Sequence, residues 1–411
     1  MFLFFTCLLV SFKAQAQFAR GADVSWMTEM EANGYVWYDD NGIQQELMPI
    51  LKNHDMNAIR LRVWVNPNSA SSGGANGWCD ISDMVTKAVL ADNEGMDILI
   101  TIHFSDWWAD PGKQNKPTAW ESMSVTQLNT AVYNHTTDVV TALGNAGVTP
   151  KWVQIGNETN DGMLWQDGRA SQSGMANYAQ FVTSGHHAVK DYNSNIKTVA
   201  HIANGNDNAL YQWNIGGIIG NGAQFDIIGM SLYPETNDWQ TLNNDCYANM
   251  LDVKSRYSKD VMVVEVGMSQ GSPATSKQFL EDIIDKTQQA GGLGVFYWEP
   301  QTHNGWKGYS KGAWDDDGSP SIALDAFIDT TLNVSQTKNH IQIYPNPVSN
   351  ELVIKPNTLN IRFIKIVDIT GKTITIFDDI QNKNTFNISH LQNGIYFLII
   401  NNNQYYRFLK N

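Results

Sequence analysis

Eight short runs rich in Val, Ile and aromatic residues recur along this 411-residue chain, and amphipathic segments separate them. The runs are Arg20–Trp26, Asn57–Val65, Asp97–Phe104, Lys151–Asn157, Thr198–Ala203, Asp226–Tyr233, Val261–Val266 and Gly294–Trp298. Each is bounded by Gly, Asn or Asp, which is how strands begin and end. Between them, Ile43–His54 sets Leu47, Ile50 and Leu51 on one stripe. Ile81–Glu94 opens after Asp80 and carries Met84, Val85, Ala88 and Val89 at helical spacing, and Ser276–Ala290 does the same with Phe279, Leu280, Ile283 and Ile284. Near-continuous apolar strands alternating with such helices imply a parallel sheet covered on its outer face. Closed on itself, the pattern predicts a (β/α)8 TIM barrel over residues 18–329.

After that point the composition shifts. Residues 330–340 are polar and read as a linker. From Ile341 the chain carries short alternating strands: Ile341–Tyr344, Leu352–Ile354, Phe363–Asp368, Thr373–Phe377 and Ile395–Ile400. Turn signals at Asn346-Pro347, Thr370-Gly371-Lys372 and Gln392-Asn393-Gly394 separate them. Residues 341–411 are therefore expected to form a small all-β sandwich, with seven Lys/Arg against four Asp/Glu. At the other end, Phe2–Phe12 is apolar and Ala14-Gln15-Ala16 offers a small-x-small cleavage site, so residues 1–17 read as a signal peptide, with a buried N-terminal strand as the alternative. That run is too short for a permanent membrane anchor, and no transmembrane segment is expected in the mature chain. Cys7 leaves with the peptide; Cys79 and Cys246 remain, and whether they pair is open.

A net charge of −14 excludes nucleic acid and anionic membrane as partners of first choice, since both demand basic surface. The chemistry is written at the strand ends instead. Lys151–Asn157 runs directly into Glu158, and Val261–Val264 into Glu265. In a barrel the functional residues sit at the C-terminal ends of the strands, and the fourth and seventh strands face one another across the centre. Two carboxyl groups so placed suit glycosidic bond cleavage: one protonates the leaving oxygen and the other attacks the sugar or activates water. Glu158 is expected as acid/base, Glu265 as nucleophile, and Asn157 as the partner of a sugar hydroxyl.

Further candidates follow from the same geometry. Arg60, Arg62 and Trp64 share one face of the second strand, because side chains alternate with period two. An inward arginine would keep Glu265 ionised. His103, Tyr233 and Trp298 end the third, sixth and eighth strands, where they can contact substrate, bond the nucleophile and floor a subsite. The loop after the third strand holds Asp106, Trp107, Trp108 and Trp120, and exposed Trp beside Asp and Lys suits sugar binding. His186 and His187, on a helix, point to different faces and read as ordinary packing residues. No metal-ligand spacing appears, and hydrolysis needs only water and carboxyls, so neither metal nor cofactor is expected.

Two resemblances sharpen this. His103-Phe104-Ser105-Asp106-Trp107-Trp108-Ala109-Asp110-Pro111-Gly112-Lys113-Gln114 resembles the signature of family-53 glycoside hydrolases, the arabinogalactan endo-β-1,4-galactanases. So do Gly21–Ser25, Arg60–Pro67, Gln154–Glu158 and Gly294–Pro300, in order, over roughly residues 18–328. The resemblance implies endo-hydrolysis of β-1,4-galactan with retention, Glu158 as acid/base and Glu265 as nucleophile. Two departures stand out. Phe104 occupies a position usually held by Tyr, and the segment around Trp314–Gly318 is shortened, which bears on distal subsites. Some bacterial members bind calcium in their loops; here Asp315–Asp317 offers no complete loop signature and reads as a solvated turn.

In the tail, Tyr344-Pro345-Asn346-Pro347, Asp368-Ile369-Thr370-Gly371-Lys372 and Leu391–Phe397 resemble type A sorting domains of the type IX secretion pathway. That likeness implies the type IX machinery as partner, export through the periplasm and outer membrane, and a secreted or cell-surface protein. Three readings compete for the barrel: an endo-galactanase, a related hydrolase of another β-1,4-glycan such as mannan, and a non-catalytic glycan-binding barrel.

Overall fold

The structure, a computed structural model, describes residues 17–69, 76–329, 342–355, 363–368, 372–378, 384–400 and 404–411. The expected signal peptide, apart from Gln17, and the expected linker lie outside the described residues. The chain divides into two compact units, one ending at Ile328 and the other Asp329–Asn411.

Eight strands close the first unit: β1 Ala19–Asp23, β2 Ala58–Val63, β3 Asp97–Ile102, β4 Trp152–Ile155, β5 Lys197–Ile202, β6 Ile227–Leu232, β7 Asp260–Val266 and β8 Gly294–Trp298. Each pairs in parallel with its sequence neighbours, and β8 returns to β1 with Ala19 opposite Gly294. All eight expected strands are present, most ending a residue or two earlier than their apolar runs. The ladder stops where the chain turns out to the rim, so His103, Asn157 and Tyr233 sit just past their strands.

Alternation divides the strand side chains between two cores. Ile59, Leu61 and Val63 face outward to the helices, while Ala58, Leu99, Trp152, Met262 and Phe296 fill the barrel interior. The interior is tight: a Cβ on Gly21 would lie 2.2 Å from the Phe296 ring, so only glycine fits there. Above this apolar layer, the inward positions turn polar. Arg60, Thr101, Gln154, His201, Ser231 and Glu265 are all buried there.

Glu265 reaches the interior through a break in the alternation. Met262 and Val264 point inward and Val261 and Val263 outward, so regular pleating would turn Glu265 toward the helices. The register against β6 jumps between Met230–Val263 and Ser231–Glu265, and β8 shows the matching jump. This bulge puts Val264 and Glu265 on the same side, which is how such features re-aim a side chain beside a site.

Helix starts follow local chemistry. Asp80 accepts the Asp83 N–H to cap Ile81–Asn93, and Ser124 with Gln127 forms a reciprocal capping box for Val125–Asn145. The helix expected over Ile43–His54 starts only at Leu47, because Gln44–Gln45 pair with Trp37–Tyr38 in a hairpin and Ile43 is exposed. Pro273–Gln289 begins three residues ahead of its expected start at Ser276, with Pro at its first turn. Cys79 and Cys246 are both free and buried.

Among the described residues the second unit has seven strands: β9 Gln342–Tyr344, β10 Glu351–Lys355, β11 Phe363–Asp368, β12 Thr373–Asp378, β13 Thr385–Asn387, β14 Gly394–Ile400 and β15 Gln404–Lys410. They form a three-stranded sheet, β9–β10–β13, and a four-stranded sheet, β12–β11–β14–β15. Leu352, Ile354 and Phe386 of one sheet share a core with Ile364, Ile366 and Leu398 of the other, which makes a sandwich. β13 and β15 are additional to the expected strands; β13 offers a single apolar residue, Phe386, to mark it.

Candidate active site

A cleft of about 660 Å³ opens at the C-terminal ends of the strands, with Glu158 and Glu265 both in its lining. The turn after β4 delivers the first. Gly156 at φ +84° and Glu158 at φ +45° coil the chain sharply, so that Asn157 faces the polar interior and Glu158 the cleft. A left-handed glutamate is strained, a feature that collects at functional sites.

Arg60 is the hub beneath. Its Nη1 donates to Asp23 Oδ2 at 2.6 Å, and its Nη2 meets Glu265 Oε1 at 2.6 Å and donates to Asn157 Oδ1 at 2.9 Å. The second Glu265 oxygen accepts from the Tyr233 hydroxyl at 3.0 Å. Burial pushes the Glu265 carboxyl upward, while Arg60 and the Tyr233 hydrogen bond pull against it. Glu158 has fewer counterweights. Burial and the facing charge of Glu265 raise it to about 8, against a Ser231 hydrogen bond and the more distant Arg60. Of two neighbouring carboxyls, the one without a direct arginine holds its proton at neutral pH. That division of labour suits an acid beside a nucleophile.

A third strand-end glutamate, Glu299, is built differently. Both its oxygens accept the Trp26 N–H at 3.1 Å, Gln301 Nε2 donates at 2.7 Å, and Arg62 Nη1 lies 3.3 Å away. It is fully buried and presents nothing to the cleft. Arg62 also turns away from Glu265. Its guanidinium sits 4.2 Å from the Trp108 ring centroid and 4.9 Å from that of Trp64, a cation–π seat for Trp108. Trp108 in turn packs against Trp26 and Trp298, and Tyr309 backs Trp298 edge-on at 4.8 Å. The result is an aromatic wall with Trp107, Trp108 and Trp298 partly open to the cleft.

His103 lines the cleft, and its Nδ1 accepts the Ala109 N–H at 3.2 Å. Burial and the two arginines hold its pKa well below the usual imidazole range, so the neutral ring carries its proton on Nε2. Three expected site residues, Asp106, Arg62 and Arg60, lie outside the cleft lining. Asp106 is buried and ties loops together, accepting Asn66 N–H and Thr118 N–H, each at 3.0 Å. Arg62 lies beneath the aromatic wall and not in it. Arg60, 1% exposed, acts through Glu265 and Asn157. Phe104 faces away from the cleft and packs against Trp120 and His135, so its lost hydroxyl falls outside the site.

Sequence reasoning passed over Asp23, His201, Ser231 and Glu299. Asp23 ends β1 and Glu299 directly follows β8, a signal that could have found them; His201 and Ser231 lie inside β5 and β6 and carry no such mark. Among the described residues, no group of three His, Cys, Asp or Glu side chains is arranged to hold a metal, and no helix is long and apolar enough to cross a membrane.

A closed βα-barrel whose mouth holds two juxtaposed glutamates, only one of them paired with an arginine, walled by tryptophan, is the architecture of a barrel glycoside hydrolase. Residues 19–334 match glycosyl hydrolase family 53, and the chain belongs to that family. Residues 342–410 match the secretion system C-terminal sorting domain, which marks the protein for secretion and cell-surface export. An uncharacterised protein of Niallia circulans is 36% identical over 315 residues, covering 69% of this chain and 83% of that one. A probable arabinogalactan endo-β-1,4-galactanase A of Neosartorya fischeri is 34% identical, covering 68% and 83%. Among solved structures, the family-53 catalytic domain of Ignisphaera aggregans superposes with a TM-score of 0.68 at 32% identity, over 75% of this chain and 95% of that one. A fungal β-1,4-galactanase superposes at 0.69 and 28% identity, over 75% and 98%.

Proposed function

We propose that the barrel is an endo-acting hydrolase of β-1,4-galactosidic bonds in galactan and type I arabinogalactan, the galactan side chains of pectin, working with retention. One observation carries the reading: Glu158 and Glu265 share a tryptophan-walled cleft, and only Glu265 is held by an arginine and a tyrosine hydroxyl. The galactanase names of the relatives supply the substrate.

Glu265 attacks the anomeric carbon while Glu158 gives its proton to the departing glycosidic oxygen. In the second half Glu158, now ionised, takes a proton from the water that releases the sugar. Tyr233 and Arg60 hold both nucleophile oxygens before the attack. Asn157 spends its Oδ1 on Arg60 and one N–H on Ala109, which leaves one N–H for a sugar hydroxyl. His103 offers its Nε2–H to another hydroxyl, and Trp108 and Trp298 offer faces to the rings.

In the whole chain, residues 1–17 serve as a signal peptide, 18–329 as the catalytic barrel, 330–340 as linker and 341–411 as the address read by the type IX machinery at the outer membrane. Reducing-end release from linear β-1,4-galactan, mannan and cellulose tests the substrate. Turnover on galactan with a ladder of oligomers is expected. Faster turnover on mannan, or binding without turnover on all three, would overturn the assignment.

A further inference from the structure

Behind Glu158 lies a buried chain of groups that no step of the mechanism above uses. His201, at the end of β5, and Ser231, at the end of β6, are both fully buried, and their Nε2 and Oγ are 2.7 Å apart. The other imidazole nitrogen, Nδ1, is 3.3 Å from the backbone N of Glu158 and 3.2 Å from Asn157 Oδ1. We infer that His201 and Ser231 form a one-way hydrogen-bond clamp that positions the carboxyl group of Glu158 and aims its proton at the leaving oxygen. The inference rests on Glu158 being the acid.

The direction of the clamp follows from donor counting. The Glu158 backbone N–H can only donate, and His201 Nδ1 is its partner at 3.3 Å. His201 Nδ1 therefore accepts, and what it accepts is the Glu158 N–H. Burial and the nearby Arg60 hold the ring neutral, with a pKa well below the usual imidazole range. Its single proton thus sits on Nε2 and is donated to Ser231 Oγ. A hydroxyl that receives on its oxygen has its own hydrogen left to give, and the inferred recipient is the Glu158 carboxyl, whose pKa Ser231 draws downward.

Two consequences follow. One carboxyl oxygen of Glu158 is occupied by the Ser231 hydrogen, so the acidic proton resides on the other. The same imidazole grips the backbone of Glu158, where φ is +45°, so main chain and side chain are fixed from one ring. The clamp also favours the ionised carboxylate, which opposes burial. The charged and titratable groups facing Glu158 are Glu265 from β7, Arg60 from β2, Asp110 from the loop after β3, His201 from β5, Tyr211 from the helix Asn208–Gly220 and Tyr233 beyond β6.

The test compares leaving groups. Ser231→Ala, Ser231→Thr and Glu158→Gln are each assayed for kcat/KM on galactan and on a 2,4-dinitrophenyl β-galactobioside, whose leaving group departs without a proton. Ser231→Ala is expected to lose about tenfold or more on galactan, the worth of one hydrogen bond to a charged group, and nothing on the activated substrate. Its alkaline limb should move to higher pH, because a hydrogen bond to the ionised form has been removed. Ser231→Thr keeps the hydroxyl and should restore both. Equal losses on the two substrates with an unmoved alkaline limb would overturn the clamp. Equal losses in Glu158→Gln would instead remove Glu158 from the acid role, a separate failure.

Discussion

Replacing Arg60 tests the electrostatic design of the site. The guanidinium is 1% exposed and lies 2.6 Å from both Asp23 and Glu265. In Arg60→Met the two carboxylates lose their shared countercharge while staying buried. Breaking a buried pair by removing one partner costs about 3–5 kcal/mol. At roughly 2 °C per kcal/mol for a domain of this size, Tm should fall by about 6–10 °C. The catalytic effect is separable. Arg60 draws the Glu265 carboxyl downward against burial, so without it that carboxyl rises further. Because the nucleophile must be ionised, the acidic limb of kcat/KM should move to higher pH. Arg60→Lys keeps the charge but, as a point donor, does not span Asp23 and Glu265 together; it should recover stability more than rate. Differential scanning calorimetry and pH–rate profiles on galactan read both quantities. An Arg60→Met protein that melts like the wild type, with its acidic limb in place, would refute the reasoning.

Three further outcomes are expected. With the Glu158 carboxyl pushed up to about 8 by burial and by Glu265, kcat/KM should fall on the alkaline side near that pH; activity undiminished at pH 10 would contradict it. Glu299 is raised from 4.5 to about 8 by burial and Asp23, so its stabilising contribution is full below the unfolded value and fades as pH rises through the folded one. Thermal melts of Glu299→Gln between pH 5 and 8 should therefore slope less than those of the wild type, and an unchanged slope would count against it. Asp106→Ala orphans two loop N–H groups at about 1–3 kcal/mol each, so Tm should drop while the pH limbs stay put; a shifted limb would return Asp106 to the chemistry.

The barrel was legible because its signal is redundant: eight apolar runs, each bounded by breakers, tolerate errors at every end. Glu158 and Glu265 were legible because a charged residue closing an apolar run is conspicuous. The route by which Glu265 turns inward was not, since a bulge leaves no mark in a Val-Met-Val-Val run and depends on how β6 and β8 pair with it. Arg60 and Arg62 look equivalent at period two, yet one meets Glu265 and the other is seated under Trp108, a split set by loops far away in sequence. Asp106 misled for a related reason: an aspartate among tryptophans reads as a ligand, and only the fold brings the N–H groups of Asn66 and Thr118 to it. His201 and Ser231 lay inside strands already recognised, where an isolated polar residue reads as packing.

The most direct test of the central claim is to trap the intermediate. A 2-deoxy-2-fluoro-β-galactobiosyl fluoride slows release, and the labelled protein can be digested and mapped by mass spectrometry. One sugar adduct on the peptide bearing Glu265, with none on Glu158, is the expected result. An adduct on Glu158 or Glu299, or inactivation with no covalent sugar at all, would contradict the account.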